Sequence, residues 1–144
     1  MADIHLHYDV SGDDFSRAGE ASADLKARLK KLGVPSDAVR RTAIALYEGE
    51  INLAIHAGGG QIEVDLLPGR VNLLIQDQGP GIPDISLAMK EGYSTAPDEV
   101  RCLGFGAGMG LPNMKKHSDK FEIHSEIGKG TQIKATVFIL ENEN

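Results

Sequence analysis

The chain has 144 residues, a formal net charge of −6 and a single cysteine, Cys102. That length fits one domain, 1–144, with a core of ordinary size, and the acidic balance argues against a direct nucleic-acid partner. A lone cysteine excludes an internal disulfide, and aromatic residues at 5% without tryptophan exclude a base-stacking platform. No apolar run is long enough to span a membrane, and MADIHLHYDV lacks the basic and apolar regions of a signal peptide. A cytoplasmic protein with no membrane partner is therefore expected.

Taken in order, Ile4, Leu6, Tyr8 and Val10 alternate with polar residues, which predicts a half-buried strand over 3–10. Phe15, Ala18, Ser22, Leu25, Leu29 and Leu32 recur at three- and four-residue spacing, so an amphipathic helix should end at Gly33. Pro35–Ser36 opens a second helix, with Ser36 as its expected N-cap and Val39, Ala43, Tyr47, Ile51 and Ile55 as its apolar stripe. QIEVDLL and VNLLIQD read as a hairpin turning at Pro68–Gly69. A short helix is expected over 85–91, then a segment without periodicity over 92–107. Another helix should open at Leu111, and strands over 121–125 and 131–140 should close the chain. Neighbouring strands with helices between them predict an α/β fold: a two-layer sandwich whose mixed, mostly antiparallel sheet is covered on one face.

Four stretches carry chemistry. Glu48, Asn52 and His56 are four residues apart, so they lie along one helix edge. There an amide oxygen suits Mg²⁺ and a carboxylate can accept a proton, although such an edge can equally be plain solvated surface. DQGPGI, from Asp77 to Ile82, places an aspartate at a strand end before two glycines, Gly79 and Gly81. Its carboxylate can accept from an exocyclic amine, or simply close an Asx turn. In GFGAGMGLPNMKK, glycines fall at every second position, Gly104, Gly106, Gly108 and Gly110, with Met109 and Leu111 beside the last. Such a run suits a loop whose backbone approaches a ligand, and a helix N-terminus after it suits phosphate. The GKGT of Gly128–Thr131 is, alone, a hairpin turn.

Together, ExxxNxxHA, DxGPGI, GxGxGMGL and GKGT resemble the GHKL ATPase superfamily of gyrase-type ATPases, Hsp90 chaperones, histidine kinases and MutL-like proteins. The resemblance covers roughly residues 36–140. The form GMGLPNMKK and the leading strand plus helix look most like the bacterial anti-sigma factor and switch-protein serine kinases.

That resemblance implies ATP and Mg²⁺ as cofactors. Asp77 would take the adenine amine with support from Thr131, and Gly79, Gly81 and Ile82 would line the base. Asn52 would hold Mg²⁺. Gly104, Gly106, Gly108, Met109, Gly110 and Leu111 would form the phosphate loop, with 92–107 as a lid and Arg101 as its one arginine. Glu48 would be the catalytic base. Gly49, in mid-helix beside Glu48, costs roughly 1 kcal/mol against alanine and has no explanation in the sequence.

The implied activity is an ATP-dependent protein serine/threonine kinase of a partner-switching system. A non-catalytic ATP-gated binding switch and a detached histidine-kinase-like domain are the alternatives. The implied partners are a regulatory protein substrate such as a STAS-domain anti-sigma antagonist, a sigma factor, and a second copy of the chain in a homodimer.

Overall fold

The computed structural model describes residues 4–12, 18–55, 58–79, 89 and 110–139. Strands β1 (Ile4–Ser11), β2 (Gly59–Leu67), β3 (Arg70–Gln76), β4 (Lys120–Glu126) and β5 (Gly130–Phe138) form one sheet. Its order is β1-β2-β3-β5-β4. Helices α1 (Glu20–Lys31), α2 (Ser36–Ile55) and α3 (Gly110–Lys116) supply the second layer. All the described pairings are antiparallel, so the mixed character expected of the sheet is not seen among these residues, whereas the two-layer α/β arrangement is. The helix expected over 85–91 lies outside the described residues, except for Met89, which packs on the core.

Strand periodicity decides which face is buried. Side chains two apart share a face, and Ile62, Val64, Leu66, Val71, Leu73, Ile75, Ile133, Ala135 and Val137 are all at most 3% exposed. Register aligns them in rows: Tyr8, Ile62, Ile75, Ile133 and Ile123 cross the whole sheet. Each fully buried aliphatic side chain contributes roughly 1.5–3 kcal/mol, so these rows against the helices are the main favourable contribution to the fold. The intervening residues, among them His5, His7, Glu122, His124 and Lys134, are exposed on the other face. One covered and one solvated face is what an antiparallel sheet permits.

The end of α1 follows the sequence reading. Gly33 adopts φ +78°, its N–H donates to the Lys30 carbonyl (3.1 Å), and the Val34 N–H donates to the Leu29 carbonyl (3.1 Å). These are the two bonds of a Schellman cap, with glycine at the left-handed position. Leu32, expected on the apolar stripe, is instead 45% exposed.

The start and stripe of α2 depart from expectation. Its first bond runs from the Val39 N–H to the Pro35 carbonyl, so Ser36 is inside the helix rather than capping it. Its buried residues are Ala38, Val39, Thr42, Ala45, Leu46, Gly49, Glu50, Ile51, Leu53 and Ala54, while Ala43 is half-buried and Tyr47 exposed. Val39 and Ile51 of the expected stripe are buried, but the buried surface is wider than one stripe because α2 packs against both α1 and α3 as well as the sheet. Small residues at 38, 42, 45 and 49 let these neighbours come close. Arg41 then ties α2 to the far edge of the sheet, bonding Asp37 (3.0 Å), Asp119 (2.9 Å) and the Phe138 carbonyl (3.1 Å).

Candidate functional site

Asp77 leaves the end of β3 beside the start of β5. Its N–H donates to the Thr131 carbonyl (3.0 Å). Its Oδ1 accepts from the Gly79 N–H (2.8 Å) and from the Thr131 N–H (3.2 Å). The Gly79 contact is the Asx turn weighed from the sequence. It does not compete with a binding role, because both bonds use Oδ1 and Oδ2 has no partner among the described residues. The two amides fix the carboxylate plane and leave one oxygen to present.

The GKGT turn is what brings this about. Gly130 has φ +121°, and a Cβ there would stand 2.1 Å from the Asp77 carbonyl oxygen. Only glycine allows β5 to start so close to Asp77. Thr131 is 7% exposed, and its hydroxyl shares a 2.8 Å hydrogen bond with the Ser125 hydroxyl. Two stretches far apart in the chain thus form one small structure at the β3–β5 end of the sheet.

The second part lies on α2. Glu48 and Asn52 are half-buried on one edge, one turn apart. Asn113 of α3 donates through Nδ2 to Glu48 Oε2 (2.8 Å). Glu48 Oε1 and the Asn52 amide have no partner among the described residues. Beside them, a Cβ on Gly49 would lie 2.4 Å from Ile75 Cδ1 and 3.2 Å from Met114 Cε. That accounts for the mid-helix glycine: its missing side chain lets α2 close onto β3 and α3. Asn113 was missed from the sequence, where its distance from Glu48 along the chain gives no sign of contact.

Glu50 was also missed, and its work is structural. Only 2% exposed, it accepts from the N–H groups of Gly19 (2.9 Å), Ala21 (2.9 Å) and Ser22 (3.0 Å). The carboxylate thereby caps α1 from another helix and complements the positive end of its dipole. An acid at 50, four residues after Leu46 and three before Leu53 on the buried side, was the available signal.

Of the remaining sequence candidates, Gly110 begins α3, and Leu111 is 8% exposed with its side chain in the core. A ligand contact at Leu111 would therefore fall to its backbone. Gly81, Ile82, Gly104, Gly106, Gly108, Met109, His56, Arg101 and the rest of 92–107 lie outside the described residues.

The donor set fits a nucleotide and its metal. At Asp77 one carboxylate oxygen is left without a partner among the described residues, as an acceptor for an amine would require. One uncommitted amide at Asn52 suits a hard cation that takes most of its ligands from phosphate and water.

A family model described as "Histidine kinase-, DNA gyrase B-, and HSP90-like ATPase" matches residues 36–141. The chain belongs to this family of ATP-binding domains. Within it, the chain is 36% identical over 110 residues to the serine/threonine-protein kinase RsbT of Bacillus subtilis (strain 168), covering 74% of this chain and 77% of that protein. It is 31% identical over 123 residues to an anti-sigma F factor of Caldanaerobacter subterraneus subsp. tengcongensis, covering 85% of this chain and 74% of the relative. Among solved structures, the RsbU and RsbW domains of Rv1364c from Mycobacterium tuberculosis superpose with a TM-score of 0.63 at 16% identity. That match takes in 93% of this chain and 32% of the solved one, and at this identity it speaks to the fold. No described helix is long and apolar enough to cross a membrane.

Proposed function

We propose that this chain is a single ATP-binding domain that transfers the γ-phosphoryl group of ATP to a serine or threonine of a regulatory protein in a bacterial partner-switching system. The observation that carries the reading is Glu48, half-buried one helical turn from Asn52, with one carboxylate oxygen held and the other open. Similarity to RsbT supports kinase activity, and similarity to the anti-sigma F factor supports a regulatory protein as the other substrate.

Each part then has a role. Asp77 Oδ2 would accept from the adenine amine, with Gly79 and Thr131 beside it; Gly81 and Ile82 are assigned to the base by the resemblance alone. The alternating glycines Gly104 to Gly110 would serve the phosphates, as the family resemblance implies. Asn52 would hold Mg²⁺, which would supply charge neutralisation at the phosphates. Glu48 Oε1 takes the proton from the partner's hydroxyl as its oxygen bonds to the γ-phosphorus. The bond from that phosphorus to the bridging oxygen breaks, and ADP carries away the electron pair. Phosphoryl transfer relies mostly on positioning and charge stabilisation, so few protein groups suffice.

The test is label transfer from γ-labelled ATP to the regulatory protein that copurifies with the chain. Glu48→Gln keeps size and polarity but cannot take the proton, so transfer should fall about 10²–10⁴-fold with ATP affinity retained. A variant that labels its partner at the wild-type rate would overturn the assignment. If the wild type labels no serine or threonine while ATP still changes partner affinity, the chain is a nucleotide-gated binding switch. A sigma factor, a STAS-domain antagonist and a second copy of the chain are the partners to assay.

A further inference from the structure

We infer that Asn113 is a positioning residue for Glu48, tying the orientation of the proton acceptor to the helix that follows the glycine-rich stretch; this deepens the kinase reading and rests on it for its catalytic consequence. A carboxylate only accepts, so the 2.8 Å contact fixes the Asn113 amide with its NH₂ toward Glu48 Oε2. With Oε2 held, rotation about the last bond of the glutamate side chain is stopped and Oε1 keeps one direction. Unrestrained, that terminal torsion is broad.

The tie is precise because both ends are built on fixed backbone. Asn113 lies between Leu111, 8% exposed, and Met114, fully buried, and both side chains sit in the core. The Ser118 hydroxyl donates to the Met114 carbonyl (2.6 Å), and the His117 N–H donates to that of Asn113 (3.1 Å). On the other side, Gly49 admits Ile75 and the Met114 methyl against α2 next to Glu48. Since α3 begins at Gly110, the final glycine of the alternating run, displacement of that helix also displaces the Glu48 carboxylate.

The experiment is a double-mutant cycle on label transfer from γ-labelled ATP to the copurifying partner. Asn113→Ala should lower kcat about 10–100-fold, the loss expected when a reacting group is misplaced by about an ångström. ATP affinity and the KM for the partner should stay near wild type. Because Asn113 acts through Glu48, adding Asn113→Ala to Glu48→Gln should cost nothing further. A purely structural tie would instead give additive losses, and wild-type kcat in Asn113→Ala would also overturn the inference. A second measurement separates this from failure of the kinase reading. In nuclear magnetic resonance spectra of the free protein, the Asn113 side-chain NH₂ signals should shift and exchange faster in Glu48→Ala. Unchanged signals would overturn the tie whether or not the wild type transfers phosphate.

Discussion

Glu48 and Glu50 stand two residues apart on α2 and differ in what their oxygens bond: Glu48 takes one side-chain amide, Glu50 three backbone N–H groups. Glu50 is 2% exposed with both oxygens bonded to backbone N–H groups, so it is spent on the fold. Glu50→Gln keeps one acceptor but turns an NH₂ toward the same donors. Losing a charged acceptor costs about 1.5–3 kcal/mol, which urea denaturation should show as a lower midpoint with an unchanged slope. Folded Glu50→Gln should still bind ATP. Asp77 differs from Glu50 in that Oδ1 takes both backbone bonds and Oδ2 has no partner among the described residues. Asp77→Asn should weaken ATP by about 10–100-fold, the equivalent of 1.5–3 kcal/mol. ATP should also be preferred to GTP, whose exocyclic carbonyl would face the carboxylate. Calorimetry giving equal affinities for the two nucleotides would contradict the adenine role.

Elements were legible where the signal is local. The Schellman end of α1 needs only Gly33 and the residues just before it, and the β2–β3 hairpin needs only Pro68–Gly69. The α2 seam was legible only in part, with Val39 and Ile51 buried but Ala43 half-buried and Tyr47 exposed, because its packing partners lie far along the chain, on β3 and α3. Gly49 shows this most plainly: in sequence it is a poor helix residue, and in the fold it is the point of closest approach to Ile75 and Met114. The Asp77, Asn52 and Thr131 positions could be singled out from motif order, whereas Asn113 could not, since contact between helices leaves no periodic mark. Gly49→Ala sets two effects against each other. Helix propensity gains about 1 kcal/mol, and overpacking a closed seam costs roughly 1–3 kcal/mol. The seam should win, giving a net loss of about 1 kcal/mol in chemical denaturation; a more stable variant would show that Ile75 and Met114 can step aside.

For the molecule as a whole, the two faces of the sheet separate an apolar, helix-covered side from a solvated, charged one. On the solvated face, His5 bonds Asp65 (2.6 Å) and Glu63 (2.6 Å), and His7 bonds Glu63 and Asp9 (3.0 Å). The neighbouring positions of β3 on that face, Asn72 and Leu74, do not titrate. Asp65 and then Glu63 push the His5 pKa up, Glu63 and then Asp9 push that of His7 up, and His7 with His5 hold Glu63 down. A histidine raised in the folded state adds stability that is complete below its unfolded pKa of about 6.5 and is lost as pH climbs through the folded value. A lowered carboxylate does the reverse, losing its contribution as pH falls through its own folded pKa. Asp37, held down by Arg40 and Arg41, and Asp24, held down by Tyr8 and Arg28, add to that acid limb. Stability should therefore be greatest where the carboxylates are ionised and both histidines are still protonated, and the urea midpoint should fall as pH rises above the unfolded histidine pKa of about 6.5 and through the raised folded values. Both histidines are about half exposed, so the drop should shrink in high salt. The doubly substituted His5→Gln, His7→Gln protein should keep the part of its acid limb that Asp37 and Asp24 supply, lose the part due to Glu63, and lose the alkaline drop. If its midpoint still falls as steeply with rising pH, the strand pair β1–β2 is not where the alkaline sensitivity resides.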